Sequence, residues 1–274
     1  MTDHVLYTHL SPLEFQQRIS RAPIAYLPLG TLEWHGAHLP LGSDGLQAEG
    51  FFIQLANEVG GIVLPLLFLG PDIFQVQQGK AYYGMDIAGF PPGEPRQLEG
   101  SAYWINDTLF DQLLDAILFQ LARVGFKIVV AHGHGPSTKY FRDKFIPQEQ
   151  KYGLRLFHCW RENGNDGLGV QVYSGSVEDI SLDVPEEDKD DIGIQTDHAG
   201  ANETSLMMAL YPTLVHIEAL STDSDVWPRA VIGKDPRSFA SAEKGRHAIQ
   251  LQSLRMANLL RTELRKLDLC ANHA

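Results

Sequence analysis

The sequence predicts an α/β fold in which a mostly parallel sheet is covered by helices on both faces. Three observations lead there. Short apolar runs alternate with amphipathic helical stretches along the chain. The run Lys127–Ala131 has no polar alternation, as expected of a central strand buried on both faces. Loops rich in glycine and histidine follow the strands, where open α/β sheets bind their ligands.

The elements follow in order. Ile24–Leu29 reads as a buried strand ending at Gly30. A helix begins near Ser43, a plausible N-cap, carries Phe52, Leu55, Ala56 and Val59 at helical spacing, and stops at Gly60-Gly61. Ile62–Leu69 is the next strand candidate. Residues 70–105 are rich in Gly, Pro and aromatics (Tyr82, Tyr83 and Phe90 among them). They read as a long ordered excursion of the kind that usually has a function. After Asn106, the residues Phe110, Leu113, Leu114, Ile117, Leu118 and Leu121 form one helical face that Gly125 ends. A helix from Ser137 to about Tyr152 precedes a strand at Arg155–Cys159. Glu178–Asp191 is acidic and reads as a solvated loop. Glu203–Leu210 is helical, and a last helix runs from about Ala242 to Leu267 with Ala257, Leu260, Leu264 and Leu267 on one face. The whole, residues 1–274, is read as one domain.

Composition narrows the function. Lys plus Arg number 22 against 34 Asp plus Glu, a formal charge of −12, which argues against nucleic acid as a partner. Cys159 and Cys270 belong to no CxxC pair, so neither a disulfide framework nor a thiolate zinc site is expected. The segment MTDHVLYTHLSPLEF lacks the basic start and apolar run of a signal peptide, and no stretch reaches the roughly 20 apolar residues of a membrane span. The expectation is a soluble, cytoplasmic protein without a membrane partner.

Three loops hold the candidate chemistry: Gly30–Asp44, Ala131–Gly135 and Asp197–Ser205. They contain His35, His38, His132, His134 and His198, five of the eleven histidines, with Glu33, Asp44 and Glu203. Singly, a histidine beside a glycine is more often a capping or surface residue, and Asp44 or Glu203 could simply favour a helix N-terminus. Three strand-end loops of one composition outweigh that reading. Imidazole with carboxylate and no thiolate suits zinc, manganese or iron. A bridging carboxylate such as Asp44 can hold two ions about 3.5–4 Å apart, and the pair acidifies a water that then attacks a carbonyl carbon. His38 and His132 are candidates for orienting the ligands from behind.

The first loop, Glu33-Trp34-His35-Gly36-Ala37-His38-Leu39-Pro40 followed by Asp44, resembles the Glu-x-His-Gly-x-His-Leu-Pro segment of the creatininase family. His132-Gly133-His134-Gly135-Pro136-Ser137 resembles that family's Asn-Gly-His-Gly-Gly-Asn segment. His198-Ala199-Gly200 with Glu203-Thr204-Ser205 resembles its third motif, and the Gly233…Asp235-Pro236 turn is also similar. The resemblance implies a three-layer α/β/α sandwich and a homohexamer. It implies two divalent metal ions per chain, Glu33 and His134 holding one, His35 the other, and Asp44 bridging. His198 would be the general acid, aided by Asp197. The chain departs from the family pattern at two places. Pro136 stands where creatininases place a carboxylate ligand, for which Glu203 is the replacement expected. Gln195 stands where they place a substrate-contacting Asp. Both changes bear on the substrate and leave the metal chemistry intact.

The expected activity is hydrolysis of a non-peptide C–N bond in a small amide substrate, with creatinine-type ring opening the leading case. Deformylation of a formamidopyrimidine-type intermediate and trimming of a small peptide-derived cofactor precursor are alternatives. Substrate choice is expected in residues 70–105, with Tyr82 and Gln195 as contacts. A metallophosphoesterase fits poorly, because no basic residues crowd the motifs. A non-catalytic metal-binding or scaffold protein is the remaining class, although structural zinc sites are usually closed and Cys-rich.

Overall fold

A computed structural model describes residues 4–159 and 197–271. The stretch Glu178–Asp191 and Gln195 lie outside the described residues. The sheet is built from β1 (Ile24–Leu29), β2 (Ile62–Val63), β5 (Ile128–Gly133) and β6 (Arg155–His158). Their order is β2-β1-β5-β6 and every pairing is parallel. β1 and β5 are buried along almost their whole length, which explains their unbroken apolar sequences.

Side-chain alternation divides the core in two. On one face Ile24, Tyr26, Val63, Ile128, Val130 and Phe157 meet three helices: α2 (Ser43–Val59), α7 (Ala201–Leu210) and α8 (Ala242–Ala271). On the other, Ala25, Leu27, Leu29, Val129, Ala131 and Leu156 meet α1 (Pro12–Arg21), α4 (Asp107–Arg123) and α5 (Gly135–Asp143). The result is a three-layer α/β/α sandwich with a mostly parallel sheet at its centre, as the sequence led us to expect. No helix among the described residues is long and apolar enough to cross a membrane.

Three boundaries differ from the sequence reading, each for a local reason. The strand expected over Ile62–Leu69 is only Ile62–Val63. Pro65 has no N–H to give a ladder, and the chain returns to β1 at Leu67, which bridges Leu29. The helix expected over Ser137–Tyr152 is two, α5 and α6 (Phe145–Tyr152), divided at Lys144. Pro147 cannot donate to the Asp143 carbonyl, and its ring crowds that carbonyl. Ser43 is the first residue of α2 rather than its cap; its hydroxyl turns back to the Pro40 carbonyl at 2.7 Å.

The excursion after Gly70 is ordered. β3 (Phe74–Gln77) and β4 (Lys80–Tyr83) form an antiparallel hairpin around Gln78-Gly79, both at positive φ, as the two-residue turn with matching twist demands. The one-turn helix α3 (Met85–Ala88) follows. Asp86 ties the segment together, accepting from the Leu98 amide at 2.8 Å and the Tyr83 amide at 3.2 Å.

Phe52 in α2 is fully buried against Tyr26 and approaches the His132 ring. Phe52→Ala is therefore expected to destabilise the chain by about 3–5 kcal/mol in urea unfolding. Phe119→Ala, on the exposed face of α4, is expected to cost under about 1 kcal/mol.

Candidate metal centre

β1 and β5 end side by side, with Leu29 opposite Gly133. The loops that leave them therefore start from one place, and the His134 amide is hydrogen-bonded to the Leu29 carbonyl at 3.0 Å. The third loop is brought in by a bridge between His198 and Ile232. Asp44 lies in the first turn of α2 and Glu203 in the first turn of α7, where helix dipoles favour negative charge. All three loops meet in a cleft of about 250 Å³ that Glu33, Asp44, His134, His198 and Glu203 help to line.

Two donor groups overlap in this cleft. Glu33, Asp44 and His134 converge as one, and His35, Asp44 and Glu203 as the other, each within 4.8 Å. Asp44 belongs to both. His35 Nε2 lies 3.2 Å from Asp44 Oδ1 and 3.7 Å from Glu203 Oε2. His35 Nδ1 faces the Glu33 carbonyl at 3.0 Å; a carbonyl only accepts, so Nδ1 carries the proton and Nε2 is the nitrogen turned to the cleft. His134 is oriented likewise, with Nδ1 at 2.8 Å from the buried Ser137 hydroxyl. Glu33 is oriented by the Met85 amide, which donates to its Oε1 at 2.9 Å.

The electrostatics fit a cation. Burial pushes the Glu33 carboxyl up to about 7 despite His134 and His35. Burial, helped by Asp44 and Asp197, also pushes Glu203 well above the usual carboxylate range. Burial would lower His35, but the Asp44 and Glu203 carboxylates overcome it and hold it up to about 10. Burial opposes ionisation of Asp44 as well, yet His35 keeps it below its ordinary value. Protons on the carboxylates and the raised imidazoles of His35 and His134 thus offset the crowded negative charge. Divalent ions would do the same, and the oxygen and imidazole donors match zinc, manganese or iron.

His198 is set up differently. Its Nε2 is 2.6 Å from the Trp34 carbonyl, so Nε2 carries the proton. Its ring lies on His35 with centroids 4.3 Å apart. Burial and the neighbouring His35 push it down to about 3, so it is neutral with a lone pair on Nδ1. His198 also converges with Glu33 and His35 as a third donor group, which makes ligation its competing role.

The other expected residues fall in several places. Asp197 lines the cleft, but its Oδ2 accepts from the Asn202 amide at 2.7 Å at the start of α7. Burial pushes it up to about 6. His38 is behind the cleft, bonded to the Thr204 hydroxyl at 2.9 Å, and burial pushes it down to about 4. His132 lines the cleft beside Phe51 and Phe52; burial and Arg255 push it down to about 4. Tyr82 is not on the wall. Neighbours in a strand point to opposite faces, and it is Tyr83 that stacks on Trp104, whose ring faces His134. Gly84 and Met85 form that wall instead.

Sequence reasoning missed Asp72. Its Oδ2 is 3.1 Å from His134 Nε2, and it lines the cleft. The available signal was its position just beyond the segment that returns to β1; aromatic content drew attention to the hairpin strands instead.

A family model described as creatinine amidohydrolase matches residues 8–260. The chain belongs to the creatininase family. A curated creatinine amidohydrolase from Pseudomonas putida is 28% identical over 222 residues, covering 80% of this chain and 76% of that protein. A solved variant creatininase complexed with creatine aligns with TM-score 0.65 and 21% identity, covering 94% of this chain and 98% of the other. A manganese form of creatininase aligns with TM-score 0.63 and 22% identity over the same shares. As a creatininase-family amidohydrolase, the protein is a hydrolase acting on C–N bonds other than peptide bonds.

Gly84 has φ 49°, and a Cβ added there would press on the carboxylates of both Glu33 and Asp72. Gly84→Ala is expected to abolish most of the rise in melting temperature that manganese or zinc confers. Gly79→Ala, at the open hairpin tip, should keep that rise.

Proposed function

We propose that this creatininase-family chain hydrolyses the C–N bond of a small cyclic amide or amidine at a two-ion centre, creatinine-type ring opening being the leading case. The observation that carries the reading is the pair of donor groups sharing Asp44 on one open cleft, with neutral His198 beside them. Glu33, Asp44 and His134 would hold one divalent ion, and His35, Asp44 and Glu203 the other. Zinc, manganese or iron would suit. Such ions, when bound, acidify a water and polarise a carbonyl.

The chain's own part centres on His198. Its Nε2–H stays on the Trp34 carbonyl. Its Nδ1 takes the proton released as water adds to the carbonyl carbon, then returns it to the leaving nitrogen as the C–N bond breaks. A group whose charged form is disfavoured by burial gives its proton up readily, which suits the second half of that cycle. Asp197, fixed on α7, acts on the cleft through its charge rather than as the direct partner of His198.

A second substrate reading, deformylation of a formamidopyrimidine-type intermediate, is kept because Pro136 and Gln195 depart from the creatininase pattern. Homohexamer assembly is proposed from the resemblance alone.

Elemental analysis of protein purified without chelator is expected to give two divalent ions per chain in the wild type and nearly none in Asp44→Ala. A metal-free wild type, even after zinc or manganese is supplied, would sink the proposal. His198→Ala is expected to keep both ions and lose about 10²–10⁴ in kcat on whichever of creatinine, cyclic amides or formamides is turned over. Loss of an ion instead would make His198 a ligand.

A further inference from the structure

Both ring nitrogens of His134 have neighbours. Nδ1 meets the Ser137 hydroxyl, which is fully buried and fixes the ring's orientation. That leaves Nε2 for a cation. Asp72 Oδ2 lies 3.1 Å from this same Nε2, on the cleft that Asp72 and His134 both line. Two donor atoms each about 2.1 Å from one ion are roughly 3.0–3.5 Å apart in octahedral or tetrahedral arrangements. The spacing matches that of His35 Nε2 and Asp44 Oδ1, 3.2 Å apart in the other half of the centre.

Asp72 is held in this position. Its side chain is only 9% exposed. Its Oδ1 accepts from the Ile73 amide at 2.6 Å, which leaves Oδ2 directed at His134. The far end of the hairpin reaches the same point, since Gly84 leaves no room for a Cβ beside Asp72 Oδ2 and Glu33 Oε1, and the Met85 amide holds Glu33.

We propose that Asp72 is a further protein ligand of the ion held by Glu33, Asp44 and His134, and that the hairpin between residues 72 and 85 is part of the metal centre. This rests on the two-ion reading above. It gives that ion three carboxylates and one imidazole. Such an oxygen-rich set favours a harder ion such as manganese over zinc. It also adds a carboxylate on the His134 side, beyond Glu203, which takes the place of the one Pro136 cannot supply.

The test uses the full-length protein loaded with cobalt(II). In Asp72→Cys, a thiolate at position 72 that binds cobalt gives a near-ultraviolet charge-transfer band absent from the wild type. Two cobalt ions per chain without that band would overturn the assignment of Asp72 alone. Asp72→Asn decides the case in which the cysteine variant loads poorly. Manganese titration by calorimetry is expected to show one of two sites weakened at least about 100-fold, with zinc affected less. Unchanged manganese affinity at both sites would overturn the proposal. A wild type that takes up no ion would instead remove the two-ion reading as a whole.

Discussion

Crowded negative charge in a buried cleft is the constraint on which the rest of this structure depends. Glu33, Asp44, Asp72, Asp197 and Glu203 all line one small space. Carboxylates so placed repel one another and lose solvation, a burden that proteins accept only with compensation. Here the compensation without metal is local and incomplete. His35 faces Asp44 at 3.2 Å, and His134 faces Asp72 at 3.1 Å. Burial outweighs the His35 and amide contacts of Glu33 and Glu203 and drives both toward their protonated forms. An arrangement this costly to fold is understandable when a cation completes it.

Much of the surrounding structure serves orientation. Three imidazoles at the centre have one nitrogen assigned: His35 to the Glu33 carbonyl, His134 to Ser137, His198 to Trp34. The two carbonyl partners differ in consequence. One leaves Nε2 of His35 toward the cleft, and the other leaves Nδ1 of His198. In the proposed reading, a backbone oxygen's choice of nitrogen is what separates the ligand His35 from the proton carrier His198. The sheet makes this possible, because the parallel register that sets Leu29 beside Gly133 fixes where both loops begin.

How much of this was legible in the sequence follows from range. β1, β5, α2 and α4 announced themselves through local periodicity and stop signals, and they stand nearly where expected. The two proline-dependent boundaries, at Pro65 and Pro147, were missed although the residues were in view; a short apolar run hides a lost ladder bond, and an amphipathic stretch hides a broken helix. Glu33, His35, Asp44, His134, His198 and Glu203 could be gathered because they sit in motifs close along the chain. Asp72 could not. It lies 62 residues from His134 in sequence, in a segment without a motif, and only the packing of the hairpin joins them. Tyr82 stands off the cleft wall, where Gly84 and Met85 lie, for a related reason: composition says which segment borders a site, while strand phase decides which side chains face it.

The hairpin therefore changes in meaning between sequence and structure. As a sequence it reads as a cover whose aromatic residues choose the substrate, separable from the metal chemistry beneath. In the fold its first residues touch His134, and its last hold Glu33 through a backbone amide. Ligand geometry and the shape of the cleft then depend on one segment, so a change in either acts on the other. Within a shared family fold, the proposed role of Asp72 would tie the charge of the cleft to the shape of its wall, since one segment carries both.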